Sequence, residues 1–237
     1  MKFLIILLYW ERLNVVRNAL TSIKNLDYDN WELAFLDDGS TKAGEPLVRE
    51  ILKDHLHKVK FYNTHQTLED KIINESSFGK YVNEIIANSD SDIVIVVCDD
   101  DALVHTYLTN LNTFFTDNPE KMWGYCHVAE YNPEIEAATP YLLQNVSTWY
   151  NRYTGPLTQT SCVLDSSQVV FRRQVFQDGV MWPWPRTGGL DSKVFEQCDQ
   201  KYNPCYWVGC IGQYKAVFQD QMGKRPVYTL PRDVIPT

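Results

Sequence analysis

Three consecutive aspartates, Asp99-Asp100-Asp101, directly follow the apolar run Ile93–Val97. A β-branched run of this length predicts a strand that is buried on both faces. Three carboxylates at its end would repel one another strongly when they are removed from bulk water. A divalent cation with hard oxygen ligands would offset that repulsion. The triplet therefore predicts a metal site at the carboxyl edge of a sheet, where open α/β sheets bind ligands.

A second acidic cluster, Asp37-Asp38-Gly39-Ser40, follows the apolar segment Trp31–Leu36. One interpretation is a turn with an aspartate helix cap, since Asp-Gly and Ser commonly form such turns. The other is a carboxylate at the sheet edge that accepts hydrogen bonds from a nucleotide base or ribose. Two such clusters at the ends of two predicted strands favour the second interpretation more than either cluster would alone.

Alternating strands and helices are predicted over the first hundred residues to position these clusters. The predicted strands are Lys2–Leu8, Trp31–Leu36, Val59–Tyr62 and 93–97, the predicted helices are Arg12–Lys24, Glu45–His55 and Lys80–Asn88, and residues 63–77 are expected to form a loop. This alternation is typical of a parallel sheet with helices on both faces. Further on, the chain predicts helices at Thr106–Phe115, Arg172–Gln177 and Asp191–Gln200, strands at Met122–Tyr131, Val169–Phe171 and Cys205–Cys210, and a loop-rich stretch over 132–160.

The composition is that of a globular protein, with 44% hydrophobic residues in a chain of 237. The formal net charge of −8 makes nucleic acid an unexpected partner. The apolar segment Phe3–Leu8 is too short to cross a membrane, so no transmembrane segment is expected. None of the six cysteines forms a Cys-x-x-Cys pair, which favours buried, reduced thiols in a cytoplasmic protein.

The order of the motifs resembles that of the family-2 glycosyltransferases, which have the GT-A fold. The matching segments are Tyr9-Trp10-Glu11-Arg12, Phe35-Leu36-Asp37-Asp38-Gly39-Ser40-Thr41 and Val96-Val97-Cys98-Asp99-Asp100-Asp101-Ala102-Leu103. The resemblance runs from Lys2 to about Leu108 and continues more weakly to about residue 220.

This resemblance implies an α/β fold, in which a GT-A-like, mostly parallel central sheet is flanked by helices and followed by a loop-rich C-terminal acceptor region. It implies a single domain over residues 1–237. Residues 1–110 are expected to bind the nucleotide sugar and residues 111–222 the acceptor, with 223–237 as an irregular tail.

The resemblance also implies a set of donor-binding residues. Those assigned to the nucleotide sugar are Tyr9, Trp10, Glu11, Asp38, Lys80 and Asp99. Trp10 occupies the aromatic position that packs against the base, and Asp38 matches the carboxylate that hydrogen-bonds it. Lys80 would contact the diphosphate. A plain core aromatic at Trp10 and a solvated helix lysine at Lys80 are the competing interpretations.

The Asp-x-Asp motif of the family fits the triplet in two registers. Asp99 and Asp101 match the literal spacing, whereas counting back from Tyr107-Leu108 places Cys98 and Asp100 at the two motif positions. The second register is favoured. It makes Asp100 the direct ligand of Mn²⁺ or Mg²⁺, places Asp99 near the ribose and leaves Asp101 as a supporting ligand.

The second half is expected to supply the acceptor site and the general base. Asp191, after Gly188-Gly189, matches the family's catalytic aspartate near a helix start, although a plain helix cap is the alternative. Asp165 resembles a position that faces the acceptor, or is a turn residue. Trp182 and Trp184 lie in a Trp-Pro-Trp-Pro segment that would cover the acceptor, with core packing as the alternative.

The expected function is therefore inverting transfer of a sugar from a nucleoside-diphosphate sugar, with UDP as the expected leaving group, to a saccharide or other hydroxyl-bearing acceptor. A nucleotidyltransferase is a second hypothesis, but the segment after the first strand lacks the glycine-rich loop of that class. A non-catalytic relative that binds nucleotide sugars is the third. Gln213 stands where many family members have a metal-binding histidine, which leaves that hypothesis open.

Overall fold

Four parallel strands on one side of the sheet contain the apolar runs of the first hundred residues. The computed structural model describes residues 1–74, 78–131, 147–149, 155–160, 164–184 and 190–216. Its first half contains β1 (Phe3–Tyr9), α1 (Leu13–Lys24), β2 (Trp31–Asp37), α2 (Glu45–Ile51), β3 (Val59–Asn63), α3 (Leu68–Asn74), α4 (Phe78–Ala87) and β4 (Ile93–Cys98). The strands lie in the order β3-β2-β1-β4 and all pair in parallel.

The second half extends this sheet with mixed pairing. It contains β5 (Asp101–Leu103), α5 (Tyr107–Asp117), β6 (Trp123–Tyr131), β7 (Ser147–Trp149), β8 (Val169–Arg172), α6 (Gln174–Gln177), α7 (Leu190–Tyr202) and β9 (Tyr206–Ala216). The strand order continues from β4 through β8, β6 and β9 to β5, and β7 pairs with β6. The β4–β8, β6–β8, β6–β7 and β5–β9 pairs are antiparallel, whereas β6–β9 is parallel.

Local patterns predict most of these elements, but they do not predict β5 and β7, and three further features differ. Residues 63–77, expected as a loop, contain α3. The helix expected over Glu45–His55 ends at Ile51 and is followed by a 3₁₀ turn, Lys53–Lys58. The mostly parallel arrangement holds for the first half, but β8 enters the sheet antiparallel to β4. The irregular tail predicted for 223–237 lies outside the described residues.

The core lies on both faces of the sheet because side chains alternate along each strand. Phe3, Ile5 and Leu7 of β1 pack on one face against α1, α2 and α5. Leu4 and Ile6 pack on the other face against α4 and α7. These five residues of β1 are all buried, which explains why the strand has no polar face and its sequence is apolar without interruption. Among the described helices, none has both the length and the apolar character needed to cross a bilayer.

The strand register brings the two acidic clusters to one edge of the sheet. In the parallel pairs, Tyr9 lies beside Asp37, and Leu8 lies beside Cys98. The antiparallel strand β8 pairs Val170 with Ile95, so its first residues lie at this same edge. The two acidic clusters and the segment just before β8 thus lie at one edge of the sheet, although they are far apart in the sequence.

Candidate functional site

A pocket of about 160 Å³ opens at this edge, between the ends of β1, β2 and β4. Its lining residues are Leu8, Tyr9, Trp10, Arg12, Leu36, Asp38, Phe78, Cys98 and Asp99. Trp10 is 46% exposed, which is unusual for a large aromatic residue. An exposed indole beside buried carboxylates provides both a stacking surface and hydrogen-bond acceptors.

Asp99 faces the end of β1. It is 3% exposed, and its carboxylate accepts a hydrogen bond from the backbone N–H of Trp10 at 3.1 Å. The guanidinium of Arg12 also donates to both oxygens of Asp99. Burial raises the pKa of Asp99 above its ordinary value, although Arg12 and the Trp10 N–H act in the opposite direction. Asp99 is therefore held at the pocket wall by groups of the first β-α connection.

Asp100 and Asp101, the other two aspartates of the triplet, lie close to Cys98. One ligand atom each from Cys98, Asp100 and Asp101 lies within 4.8 Å of the other two, close enough to share one ion. Carboxylate oxygens suit Mn²⁺ or Mg²⁺, and a thiol suits softer divalent ions, so this donor set fits a divalent cation. The grouping agrees with the register that pairs Cys98 with Asp100. Gln213 is buried in β9, where its amide donates to the Val96 carbonyl at 3.5 Å.

Asp38 and Trp10 both contact Lys71. The Lys71 ammonium lies 2.9 Å from Asp38 Oδ2 and 4.7 Å from the centroid of the Trp10 ring. Thr64 Oγ1 donates to the other oxygen of Asp38 at 3.0 Å. Sequence reasoning missed Lys71 because residues 63–77 were expected to be a loop. A predicted helix over Leu68–Asn74 would have been the signal needed to locate Lys71.

The turn after β2 is organised by Asp37 and Glu11. Asp37 accepts the backbone N–H of Ser40 at 2.8 Å, and Gly39 takes the left-handed φ of 71° that this turn requires. Glu11 accepts the Thr41 hydroxyl at 2.9 Å, and hydrogen bonding from the Thr41 backbone N–H lowers the pKa of Glu11. Glu11 does not line the pocket within the described residues. Its expected contact with the donor stays a prediction.

Tyr9 also lines the pocket. Its side chain is 1% exposed, stacks on Phe35 with 5.5 Å between ring centroids, and donates to the Lys42 carbonyl at 2.6 Å. Burial raises the pKa of Tyr9 to about 12. The expected contact of Tyr9 with the donor stays a prediction: Tyr9 lines the pocket, and alternation along β1 turns its ring toward the core. Its backbone carbonyl accepts the Asp38 N–H at 2.9 Å, which helps to place that residue.

The two tryptophans expected to cover the acceptor have different environments. Trp182 is 2% exposed and packs edge-on against Phe78, and Asn83 bonds both its backbone N–H and its carbonyl at 2.9 Å. This environment agrees with the core-packing alternative, and the acceptor contact of Trp182 stays a prediction. Trp184 is 54% exposed, and the Lys80 ammonium lies 5.8 Å from its ring centroid. Lys80 and Trp184 thus lie together at the surface, while residues 185–189 are outside the described residues.

Asp165 and Asp191 are neighbours. Asp191, in the first turn of α7, accepts the backbone N–H of Ser166 at 3.3 Å. Asp165 caps the 3₁₀ turn Ser166–Gln168 by accepting the Ser167 N–H at 3.0 Å. That turn directly precedes β8 and therefore lies at the edge that also contains Asp99.

The model of the family described as "Glycosyl transferase family 2" matches residues 4–180, which are 177 of the 237 residues. Protein CgeD of Bacillus subtilis (strain 168) is 22% identical over 179 residues, covering 73% of this chain and 39% of that protein. The crystal structure of S. aureus TarS superposes with a TM-score of 0.67 at 15% identity, covering 92% of this chain and 37% of that one.

Two complexes have the same fold. TarS 1-349 in complex with UDP-GlcNAc gives a TM-score of 0.64 at 14% identity, covering 92% of this chain and 59% of that one. The mannosyltransferase PcManGT from Pyrobaculum calidifontis, in complex with GDP-Man and Mn²⁺, gives 0.62 at 14% identity, covering 91% and 57%. These likenesses confirm the GT-A-like fold class. Since the family model matches about three quarters of its residues, the chain belongs to glycosyl transferase family 2.

Proposed function

We propose that this chain is a metal-dependent glycosyltransferase that moves a sugar from a nucleoside-diphosphate sugar, with UDP as the expected leaving group, to an acceptor hydroxyl. The observation that carries this proposal is the pocket that contains Trp10, Asp38 and Asp99, next to the group of Cys98 with two further aspartates. The UDP-GlcNAc complex of TarS and the GDP-Man and Mn²⁺ complex of PcManGT support it by fold.

In this proposal the base stacks on the exposed face of Trp10 and donates to Asp38, while Asp99 accepts from the ribose. Lys71 now contacts both Trp10 and Asp38, so the ammonium must move when a base binds there. Lys80 is exposed beside Trp184 and would reach a diphosphate that extends from the pocket. The base, the ribose and the diphosphate of the donor would thus each contact a side chain of matching chemistry.

Asp100, Asp101 and Cys98 would hold Mn²⁺ or Mg²⁺. A bound divalent ion supplies positive charge that stabilises the departing diphosphate. The side chains have distinct tasks around it. Asp100 and Asp101 neutralise a cation, and Asp99 stays with the nucleotide because Trp10 and Arg12 hold it.

Asp191 would accept the proton of the acceptor hydroxyl as that oxygen attacks the anomeric carbon opposite the diphosphate, which inverts the anomeric configuration. The half-buried Asp191 lies at a helix start beside Ser166, so its carboxylate is positioned by the backbone. Trp184 and the segment at Asp165 would contact the acceptor. Residues 1–110 thereby form the donor half and 111–222 the acceptor half.

Calorimetry with UDP, GDP and ADP, each with and without Mn²⁺, tests the donor assignment. We expect UDP to bind more tightly with Mn²⁺, and Asp38→Asn to weaken UDP binding while leaving Mn²⁺ binding unchanged. Release of free sugar from UDP-sugars then tests catalysis. Failure of both UDP and GDP to bind would contradict the donor assignment. Nucleotide binding without sugar release or transfer would favour the non-catalytic relative.

A further inference from the structure

Arg12 contacts two of the three consecutive aspartates. Its Nη1 lies 2.7 Å from Asp100 Oδ2, while Nη2 and Nε donate to the two oxygens of Asp99. The Arg12 side chain is 43% exposed, whereas that of Asp99 is 4% exposed. One guanidinium at the start of α1 therefore links the end of β1 to the end of β4.

The planar guanidinium suits this position because its five donors form a rigid fork that can reach two carboxylates at once. Burial lowers the pKa of Arg12, but attraction to Asp99 and Asp100 outweighs this effect and raises it. Arg12 therefore stays charged. It offsets part of the repulsion within the triplet before any metal ion is bound.

Asp100 belongs to two groups at the same time. It pairs with Arg12, and one of its oxygens also lies within the group formed with Cys98 and Asp101. A cation held by that group would lie close to the positive guanidinium and would draw on the same carboxylate. Like charges at such separations disfavour each other, most strongly away from bulk water.

We propose that Arg12 is a positioning residue that competes with the divalent cation for Asp100 while it holds Asp99 against the nucleotide pocket. The role toward Asp99 rests on the proposed function, whereas the competition for Asp100 is a property of the chain with metal alone. In the absence of nucleotide, the chain consequently binds the metal ion more weakly than its carboxylates would bind that ion if Arg12 were absent.

A titration of Mn²⁺ without nucleotide, followed by electron paramagnetic resonance of the free ion, tests the competition. We expect Arg12→Gln to tighten Mn²⁺ binding by about tenfold, since a hydrogen-bonded charge is removed from Asp100. Arg17→Gln is the matched control because Arg17 lies in α1, just after Arg12 in the chain, and pairs at 3.2 Å with the exposed Glu50. It should leave Mn²⁺ binding unchanged. Equal or weaker Mn²⁺ binding by Arg12→Gln would overturn the proposal.

Two further variants attribute the effect to Asp100 and allow for loss of folding. In an Asp100→Asn background, Arg12→Gln should give no tightening, because the contested carboxylate is gone. Arg12→Lys keeps one charge but loses the fork, so Mn²⁺ binding should tighten by a smaller factor. If Arg12→Gln fails to fold, wild-type Mn²⁺ affinity in Arg12→Lys would overturn the proposal.

UDP calorimetry tests the role toward Asp99. Arg12→Gln should weaken UDP binding by about tenfold even as Mn²⁺ alone binds more tightly, because Asp99 loses its side-chain donors. If the wild-type chain binds no UDP, the proposed function fails and the Mn²⁺ titration still decides the competition. If UDP binding is unchanged in Arg12→Gln, the positioning role is wrong while the proposed function stands.

Discussion

Neighbouring residues at the end of β4 have different environments. Asp99 is buried against Trp10 and Arg12, whereas Asp100 and Asp101 approach Cys98. Asp99 and Asp100 form a turn after β4, whereas Asp101 already belongs to β5, which pairs with β9. The three consecutive aspartates thus have three environments: Asp99 lies at the pocket wall, Asp100 contacts both Arg12 and the group with Cys98, and Asp101 is buried in β5.

Asp191→Asn tests the proposed base at this scale. We expect transfer to fall by about 10²–10⁴-fold, because general-base assistance is typically worth that much. UDP affinity should be nearly unchanged, since the neutral amide keeps the shape and Asp191 lies outside the lining of the nucleotide pocket. Steady-state kinetics and calorimetry provide the two measurements. Asp199→Asn on the same helix is the control for folding, and equal losses of transfer and UDP binding would contradict the catalytic assignment.

Elements are held in place around the site by polar contacts between strands and by close backbone approaches. Glu32 of β2 accepts from the Ser91 hydroxyl at 3.0 Å and from Lys60 of β3 at 3.1 Å, and it also pairs with Lys2 at 3.3 Å. Ser89 donates to the same carboxylate. This buried side chain therefore connects β2 to β3 and to the residues just before β1 and β4.

Glu32→Gln should destabilise the fold by about 1–3 kcal/mol at neutral pH, because charged hydrogen bonds are lost in a buried setting. Burial raises the pKa of Glu32, but hydrogen bonds from Ser89, Lys60 and Ser91 outweigh it and lower the pKa below 4.5. A lowered folded-state pKa stabilises the fold above the unfolded value of 4.5, and this stabilisation is lost as pH falls through the folded value.

Urea unfolding at several pH values measures both effects. The difference between wild type and Glu32→Gln should be largest near neutral pH and should shrink once the pH falls below the lowered pKa. Glu50→Gln, at an exposed pair with Arg17, should change stability by less than about 0.5 kcal/mol. A pH-independent difference would show that the charge of Glu32 is not responsible.

Gly79→Ala tests the approach of the Trp182–Trp184 segment to α4. A Cβ at Gly79 would lie 2.2 Å from the carbonyl oxygen of Pro183, so the segment would have to shift. We expect a net loss of about 1–3 kcal/mol from overpacking, although alanine is otherwise favoured in a helix. Gly155→Ala is the matched control, since no atom of the described residues lies within 4 Å of its added Cβ. Thermal melting that ranks the two variants equally would contradict this packing.

Across the whole molecule, the sheet is continuous from β3 to β5. The pairing of Ile95 in β4 with Val170 in β8 joins the parallel half to the mixed half. Both residues are fully buried in one hydrophobic cluster. A shared core of this kind favours a single cooperative unit, as expected for one domain.

Ile95→Ala should therefore destabilise both halves together. We expect a loss of about 2–5 kcal/mol, as for other large-to-small substitutions in a core. Native-state hydrogen exchange should show equal losses of protection for amides of β1 and β6, which lie on opposite sides of the junction. Leu68→Ala, at a leucine that is 60% exposed, should leave both unchanged. A loss confined to one half would indicate two independent units.

Local patterns in the chain suffice to predict the buried strands, the two acidic clusters at their ends and the helices on both faces. Burial with the period of a strand or of a helix is visible in the order of apolar residues along the chain. A strand that is buried on both faces appears as an unbroken apolar run, as in Ile93–Val97. The same patterns indicate that Trp10, Asp38 and Asp99 meet at one edge, because parallel strands end together. Family resemblance adds Asp191, whose position beside Ser166 no local pattern predicts.

Other features depend on long-range contacts that residue order does not record. Arg12 reaches the aspartates across 87 and 88 positions, and Lys71 reaches Asp38 across 33. The side chains of Tyr9 and Trp182 are buried, because the direction of a side chain depends on the strand or helix packed against it. Register and packing partners are set by the whole fold, so only the tertiary structure assigns Asp99 to Arg12 and Asp100 to two competing groups.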